Sequence, residues 1–365
     1  MPAMLSFAID PDIRKAQTPP ASFYTDPHIF SALKQKAFPR SWQLLADADV
    51  IKAPGNVHPC SFLDGAIDEP LLLTRDYNDQ IHCLANVCTH RGNLVCEGGG
   101  TEKNLRCRYH GRRFDLDGKF VSMPEFNGAT NFPSPADNLP KISLARWSRF
   151  LFASLNPSAS LAEVFKPMTD RLAFLPIDQF QPDPSRNREY TIRANWALYI
   201  DNYLEGFHIP YIHASLNDQL DYDNYTTELL PHGVLQIGLA DVNSEIFDLP
   251  PSSPDHGQKI AAWYYWFFPN LMFNFYPWGL SINIVRPLSV DLTKVNFLTY
   301  IWKPEKLDRG AGAGLDRVER EDEAIVEATH RGLKSSLYTR GRYSPTRETG
   351  PHHFHRLAVQ SLNQA

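Results

Sequence analysis

Four residues constrain this chain most. Cys88 and His90 form a Cys-x-His clip, Cys107 and His110 form a Cys-x-x-His clip, and sixteen residues lie between the two. Two thiols and two imidazoles paired in this way point to a shared inorganic partner, held where two loops face each other. Gly92, Gly98, Gly99, Gly100 and Gly111 stand around the clips, and glycine lets a backbone wrap closely around such a group. Thiolate and imidazole suit zinc and iron–sulfur clusters alike. Zinc knuckles commonly pair Cys with Cys and His with His. One of each per clip instead lets a two-iron cluster take both thiolates on one iron and both imidazoles on the other. The competing assignments are a colourless structural zinc site and four residues that never meet.

The sequence around the clips divides into three parts. Residues 1–41 read as an irregular arm and a helix, "DPHIFSALKQKAF", that starts at an Asp26 cap. Residues 42–155 carry short alternating apolar runs, with hairpin turns expected at Asn78-Asp79 and Asp117-Gly118, which predicts a small antiparallel β domain. A Pro- and Ser-containing linker, "NPSASLAEVFKP", opens residues 156–365. Strands and long helices alternate there, predicting an α+β domain whose antiparallel sheet curves around helices. A length of 365 residues accommodates both domains. Net charge is −5, from 36 basic and 41 acidic side chains, which argues against nucleic acid or an anionic membrane as the main partner. The sequence shows no bilayer-length apolar run and no signal-peptide pattern, so the expected location is cytoplasmic. Cys60, Cys83 and Cys96 have no histidine clip and are expected to serve packing.

The motif Cys88-Thr-His90 with Cys107-Arg-Tyr-His110-Gly111 resembles the Rieske [2Fe–2S] motif. The resemblance implies a β-sandwich-like domain, Cys88 and Cys107 on an inner iron, and His90 and His110 on an outer iron near the surface. Such a domain passes electrons, and the rest of the chain must accept them. A chain that is only an electron carrier, with a binding domain as its second half, would hold the cluster and no further iron.

The stretch "NWALYIDNYLEGFHIPYIHASL" places Asp201, Glu205, His208 and His213 within thirteen residues. Read as a helix, it puts Asp201, Glu205 and His208 on one face. Pro210 would break that helix and swing His213 toward His208. Two histidines and a carboxylate form a facial set that leaves positions on non-heme Fe(II) open to O2. This stretch resembles the mononuclear-iron motif of Rieske oxygenase catalytic subunits, and "VEREDEAIVEATHRGLKSSLYTRGRYSP" resembles the late helix of choline- and carnitine-type members. The resemblance implies His208, His213 and Asp322 as iron ligands, although Glu319, Glu321, Glu323 and Glu327 crowd the same helix. It also implies a helix-grip catalytic domain and a homotrimer. In that trimer Glu205, as a catalytic bridging carboxylate, would link His110 of the partner subunit to His208 or His213.

The aromatic stretch "WYYWFFPNLMFNFYPW" predicts mostly core, with part of it lining a cavity over the iron. Such a wall suits a methylated ammonium through cation–π attraction, or a flat hydrocarbon. The implied activity is that of a terminal oxygenase subunit with one [2Fe–2S] cluster and one mononuclear Fe(II) per chain. Electrons from NAD(P)H would arrive through a separate reductase, with or without a ferredoxin, and O2 would hydroxylate or N-demethylate a small amine, expected to be a quaternary ammonium compound. An aromatic-ring-hydroxylating dioxygenase alpha subunit is the alternative. His352, His353 and His355 are expected to pack at a surface or interface rather than hold metal.

Overall fold

The computed structural model describes residues 7–218, 220–240 and 244–364. Two compact units emerge: Pro39–Leu161, and a second made of the N-terminal arm together with Ala162–Ala365. The arm therefore belongs to the unit formed by the far end of the chain.

The first unit contains ten strands: β1 (Gln43–Asp47), β2 (Asn56–Phe62), β3 (Glu69–Arg75), β4 (Ile81–Ala85), β5 (Gly100–Thr101), β6 (Leu105–Arg106), β7 (Arg113–Phe114), β8 (Phe120–Ser122), β9 (Ser143–Trp147) and β10 (Phe150–Ser154). They form three antiparallel sheets, ordered β1-β10-β9, β4-β3-β2-β5 and β6-β7-β8. Asp76–Gln80 makes the turn between β3 and β4, with Asp79 in the left-handed region. Gly118, also left-handed, turns β7 into β8. A Cβ there would stand 2.9 Å from a Leu84 methyl, so the turn requires glycine. Val57, Leu72, Leu84, Leu105, Phe114 and Leu139 form the core, and Cys88 and Cys107 belong to it. Cys60, Cys83 and Cys96 carry free thiols.

The second unit begins with α1 (Ser22–Thr25) and α2 (Pro27–Lys36). Asp26 caps α2 by accepting the backbone N–H of His28 at 2.7 Å, and Pro27 occupies the first turn, where its missing N–H costs nothing. After α3 (Leu161–Arg171) come β11 (Gln181–Pro182), β12 (Arg188–Ile192), α4 (Trp196–Tyr203), α5 (Ile209–Ile212) and α6 (Ala214–Asn217). Then follow β13 (Thr226–Leu230), β14 (Gly233–Leu239), β15 (Ile260–Phe267), β16 (Leu271–Tyr276), β17 (Gly279–Ser289), β18 (Leu292–Ile301), α7 (Leu315–Gly332) and α8 (Thr349–Asn363). β13 to β18 are an antiparallel meander, and β11 and β12 both pair with β18.

The two faces of this sheet differ in chemistry. Phe267 and Phe273 pack on Phe165 of α3, with ring centroids 4.5 and 5.4 Å apart. The opposite face presents Trp266 to Phe354 of α8, which also meets Trp196 of α4. Along that second face runs a polar row in direct register. Gln236 pairs with Tyr264, Tyr264 with Asn274, and Asn274 with Ser281. These buried polar groups find partners within the protein: Gln236 Nε2 donates to the Tyr203 carbonyl, Tyr203 Oη donates to Asn274 Oδ1, and Ser281 Oγ donates to Asn283 Oδ1.

Candidate functional site

The two Cys/His clips fold as near copies of one loop. Cys88 N–H donates to the Asn93 carbonyl at 2.8 Å, and Cys107 N–H donates to the Arg112 carbonyl at 2.9 Å. Gly92 N–H returns to the Cys88 carbonyl at 2.9 Å, and Gly111 N–H to the Cys107 carbonyl at 3.0 Å. Both glycines are left-handed, with φ of 73° and 75°, a conformation that costs other residues steric strain. Each loop thus closes on its own backbone and points a sulfur inward.

Cys88 and Cys107 are buried, whereas His90 and His110 are half-buried with ring centroids 4.8 Å apart. Burial pushes the Cys88 thiol up and the facing Cys107 adds to that, while the His90 backbone N–H opposes it. Asn93 Nδ2 lies 3.7 Å from Cys107 Sγ, so one residue serves both clips. Asp137 joins them as well: its carbonyl accepts from Thr89 Oγ1, and its carboxylate accepts from Arg112 Nη2 at 2.6 Å. Arg112 is buried under Phe114, Phe120 and Phe132. Burial opposes ionisation of Asp137, but its bonds from Arg112 and Ser134 outweigh that and hold the carboxyl below its usual range. Buried sulfurs on one side and outward imidazoles on the other fit a His-ligated two-iron cluster.

The second constellation assembles from distant segments. α4 ends at Tyr203, so Asp201 and Glu205 do not share a helix face with His208. Asp201 turns away to accept from Tyr24 Oη at 2.7 Å and sits 2.9 Å from His355 Nε2. Pro210 does not break a helix either. It occupies the first turn of α5, where proline favours helix initiation, and His208 and His213 flank that single turn. Their rings come within 5.1 Å.

α7 supplies the carboxylate. Glu319, Val326 and His330 are its buried residues, and with Asp322 they form a stripe at helical spacing. Asp322 Oδ1 lies 3.0 Å from His213 Nε2 and 3.4 Å from His208 Nε2. The three ligand atoms lie within 4.8 Å of one another, a spacing that one ion can bridge. Behind each imidazole stands a second carboxylate. Glu205 Oε1 is 2.6 Å from His208 Nδ1, and Glu321 Oε2 is 2.8 Å from His213 Nδ1. Carboxylates in those positions fix the imidazole orientation and leave both Nε2 atoms free to face an ion. Glu205 Oε2 also accepts the backbone N–H groups of Phe207 and His208. Burial works against a charged His213, but Asp322 and Glu321 prevail and raise its pKa. The donor set fits a divalent iron with open positions.

The acids on α7 that the sequence left unsorted have distinct partners. Glu321 also pairs with Arg317, and Glu327 accepts the Arg193 backbone N–H. Glu319 is buried and accepts from Tyr199 Oη at 2.8 Å. Burial, then the charge of Asp322, pushes its carboxyl well up. The expectation that His352, His353 and His355 pack at a surface or interface is corrected for His352 and His355, which α8 turns inward, while His353 is half-buried. His352 bonds the Asp10 carbonyl, His353 the Leu230 carbonyl, and His355 the hydroxyls of Tyr24 and Tyr343.

Beside the His/Asp triad lies a cavity of about 120 Å³, with Tyr199, Tyr203, Tyr225, Tyr264, Tyr276 and Phe297 in its wall. Gln236, Asn274, Ser281 and Asn283 complete its polar side. Sequence reasoning named Glu321 without giving it a role, and missed Asn93 and this polar row. The row's signal was polar residues at alternating positions in "FNF" and "LSINIV".

Residues 41–133 match the Rieske [2Fe-2S] domain, and residues 183–364 match the ring hydroxylating alpha subunit (catalytic domain). Choline monooxygenase of Arabidopsis thaliana is 32% identical, over 97% of this chain and 85% of that protein. This chain belongs to the Rieske non-heme iron oxygenases. It is a catalytic alpha subunit of the choline- and carnitine-monooxygenase-like group and an oxidoreductase. The carnitine monooxygenase oxygenase subunit of Escherichia coli (strain K12) is 29% identical over 95% of this chain and 94% of that one. In fold, the chain resembles the quaternary ammonium Rieske monooxygenase CntA in complex with L-carnitine, with a TM-score of 0.73 and 22% identity, over 96% of this chain and 97% of that one. It also resembles naphthalene 1,2-dioxygenase from Rhodococcus sp., with a TM-score of 0.71 and 19% identity, over 94% and 93%. The architecture is therefore a Rieske domain followed by an α+β catalytic domain of helix-grip type. The family implies a [2Fe–2S] cluster and a mononuclear iron.

Proposed function

We propose that this subunit hydroxylates or N-demethylates a small methylated amine of the quaternary-ammonium class. The tyrosine-lined cavity beside His208, His213 and Asp322 carries this reading, since aromatic faces attract a methylated cation. Choline and carnitine monooxygenases among the relatives support it. The polar row of Gln236, Asn274, Ser281 and Asn283 favours a polar substrate over the flat hydrocarbon of a ring-hydroxylating dioxygenase.

In this reading residues 1–41 are an arm, 42–155 the Rieske domain and 156–365 the catalytic domain. Cys88, His90, Cys107 and His110 hold the cluster, and His208, His213 and Asp322 hold the mononuclear iron, which supplies O2 activation when bound. The half-buried His90 and His110 offer the route for electrons from NAD(P)H through a separate reductase, with or without a ferredoxin. Glu205 keeps the His208 imidazole oriented through Nδ1. It also serves as the carboxylate between centres in a homotrimer. Glu321 does the orienting work for His213, and the tyrosine wall keeps water from the reacting carbon. The protein acts in the cytoplasm; among the described residues no helix is long and apolar enough to cross a membrane.

The reaction takes one O2, two electrons and two protons. An N–CH3 hydrogen is replaced by OH and the second oxygen leaves as water; the N–CH2OH product then splits to formaldehyde and the demethylated amine. A panel of methylated amines and aromatic acids, assayed for substrate-dependent NADH consumption with a surrogate reductase, tests the reading. Coupled consumption with an amine and a matching oxygenated or demethylated product is expected. Coupling only with aromatic acids would contradict it.

A further inference from the structure

The polar row in the cavity wall is not equally open to a ligand along its length. Gln236 donates through Nε2 to the Tyr203 carbonyl, and its Oε1 is sealed beneath the surface. Asn274 is engaged at both ends, by Tyr203 Oη at 2.6 Å and by the Ser281 carbonyl at 3.3 Å. Ser281 donates its hydroxyl to Asn283 Oδ1 at 3.1 Å. That bond turns the Asn283 amide so that Nδ2 points away from Ser281. Among the described residues Nδ2 meets no protein acceptor, and unlike Gln236 Oε1 it is not sealed off. Its N–H groups remain for the cavity, which the side chain lines. Asn283 is otherwise buried, and its cross-strand neighbours Met272 and Phe297 are apolar.

The charge of the same wall limits what Asn283 can meet. Glu205 and Asp322 line the cavity, and among the described residues no Lys or Arg does. A fixed positive charge on a ligand is favoured beside those acids. A ligand carboxylate taken out of water there finds no cationic partner, and one neutral amide does not replace its hydration. An uncharged oxygen needs far less, and a single amide N–H satisfies it. Asn283 stands on β17 at the sheet side of the cavity, while Asp322 reaches it from α7. A small ligand thus offers a methyl carbon to the cradle of His208, His213 and Asp322 and a polar end to Asn283.

We infer that Asn283 is a specificity-determining residue of this site, and that through Nδ2 it donates to an uncharged hydroxyl oxygen on a quaternary ammonium substrate without a carboxylate. This rests on the quaternary-ammonium reading above and narrows it to hydroxyalkyl ammonium compounds. The tyrosine faces hold the methylated head, and the amide reads what the head carries. An alkyl group in place of the hydroxyl shields Nδ2 from water and leaves it unpaired, and that cost is the source of discrimination. Ser281 acts through Asn283, as a positioning residue that keeps the amide turned.

The test uses the intact holoenzyme without reductant, so that ligands bind and do not react. Dissociation constants are measured by calorimetry for choline, for carnitine, and for trimethyl(propyl)ammonium, in which a methyl group replaces the choline hydroxyl. Wild type and Asn283→Leu are compared. Wild type should bind choline about 10-fold or more tightly than the alkyl analogue, and carnitine more weakly than choline. Asn283→Leu should bring the ratio of choline to the alkyl analogue close to one, with the alkyl analogue still bound. Wild type that prefers carnitine or the alkyl analogue, or a ratio unmoved by the substitution, overturns the inference. The wild-type comparison stands even if the variant fails to fold. Preference for carnitine would leave the quaternary-ammonium reading in place and remove only this inference, whereas failure of all three ligands to bind would remove both.

Discussion

The two regions proposed to hold metal are built in opposite ways. The cluster loops are local: each clip spans a few residues, closes through its own Cys–Gly hydrogen bond, and repeats the geometry of the other. The iron cradle is assembled. His208 and His213 flank one short helix, while Asp322 and Glu321 arrive from a helix more than a hundred residues later. A local site stores its geometry in backbone conformation. An assembled one stores it in side-chain carboxylates that hold each imidazole from behind.

The largest effects should come from removing ligands, and they should not cross between regions. Cys107→Ala should abolish the visible cluster spectrum, whereas His208→Ala should keep that spectrum and reduce product formation to background. If His208→Ala retained wild-type product formation, the cradle would not be the site of reaction. Smaller by design, Glu321→Ala should weaken mononuclear iron about 10- to 100-fold by freeing His213 Nδ1. Iron titration of the metal-stripped variant checks this, and unchanged affinity would mean the carboxylate does not orient the ring.

The local site should break through its backbone. Gly92→Ala and Gly111→Ala each force a side chain into left-handed space, at about 1–2 kcal/mol. The two should cost about the same, because a Cβ at Gly111 meets Pro124 Cγ only at the ordinary contact distance of 3.4 Å and nothing stands near Gly92, which leaves the left-handed backbone as the cause in both. Denaturant melts followed by cluster absorbance read both losses, and an unchanged midpoint in both variants would show that the loops do not require glycine. The smallest effect concerns pH and the catalytic unit alone. Burial depresses the pKa of His330 and His352 below 6.5. Between the folded and unfolded values the unfolded chain binds more protons, so stability is present above pH 6.5 and falls as the pH drops through that window. The Tm of this unit should fall by about 2–4 °C for each kcal/mol lost. A flat Tm between pH 7.5 and 5.5 would show that neither ring resists protonation.

This contrast explains what the sequence made legible. The Cys/His clips could be read at once because ligand type, order and spacing all lie within one loop each. His208 and His213 were legible as a pair, but their backbone was not, since Leu204 ends α4 early and Pro210 starts a helix rather than breaking one. The facing of α7 was hidden for a physical reason. Its inward stripe carries Glu319 and Asp322 where an ordinary amphipathic helix would bury aliphatics, and Ile325 is left 41% exposed. A helix whose polar residues face inward defeats hydrophobic periodicity. The inward turn of His352 and His355 was hidden likewise, because their partners Asp10, Tyr24 and Tyr343 lie far from them in the chain or across a turn.

The claim that one chain holds two independent iron centres, one local and one assembled, is tested most directly by counting iron and acid-labile sulfide. Wild type should contain about three irons and two sulfides per chain, and Asp322→Ala about two of each. Two irons in wild type, or a loss of sulfide along with iron in Asp322→Ala, would contradict the account.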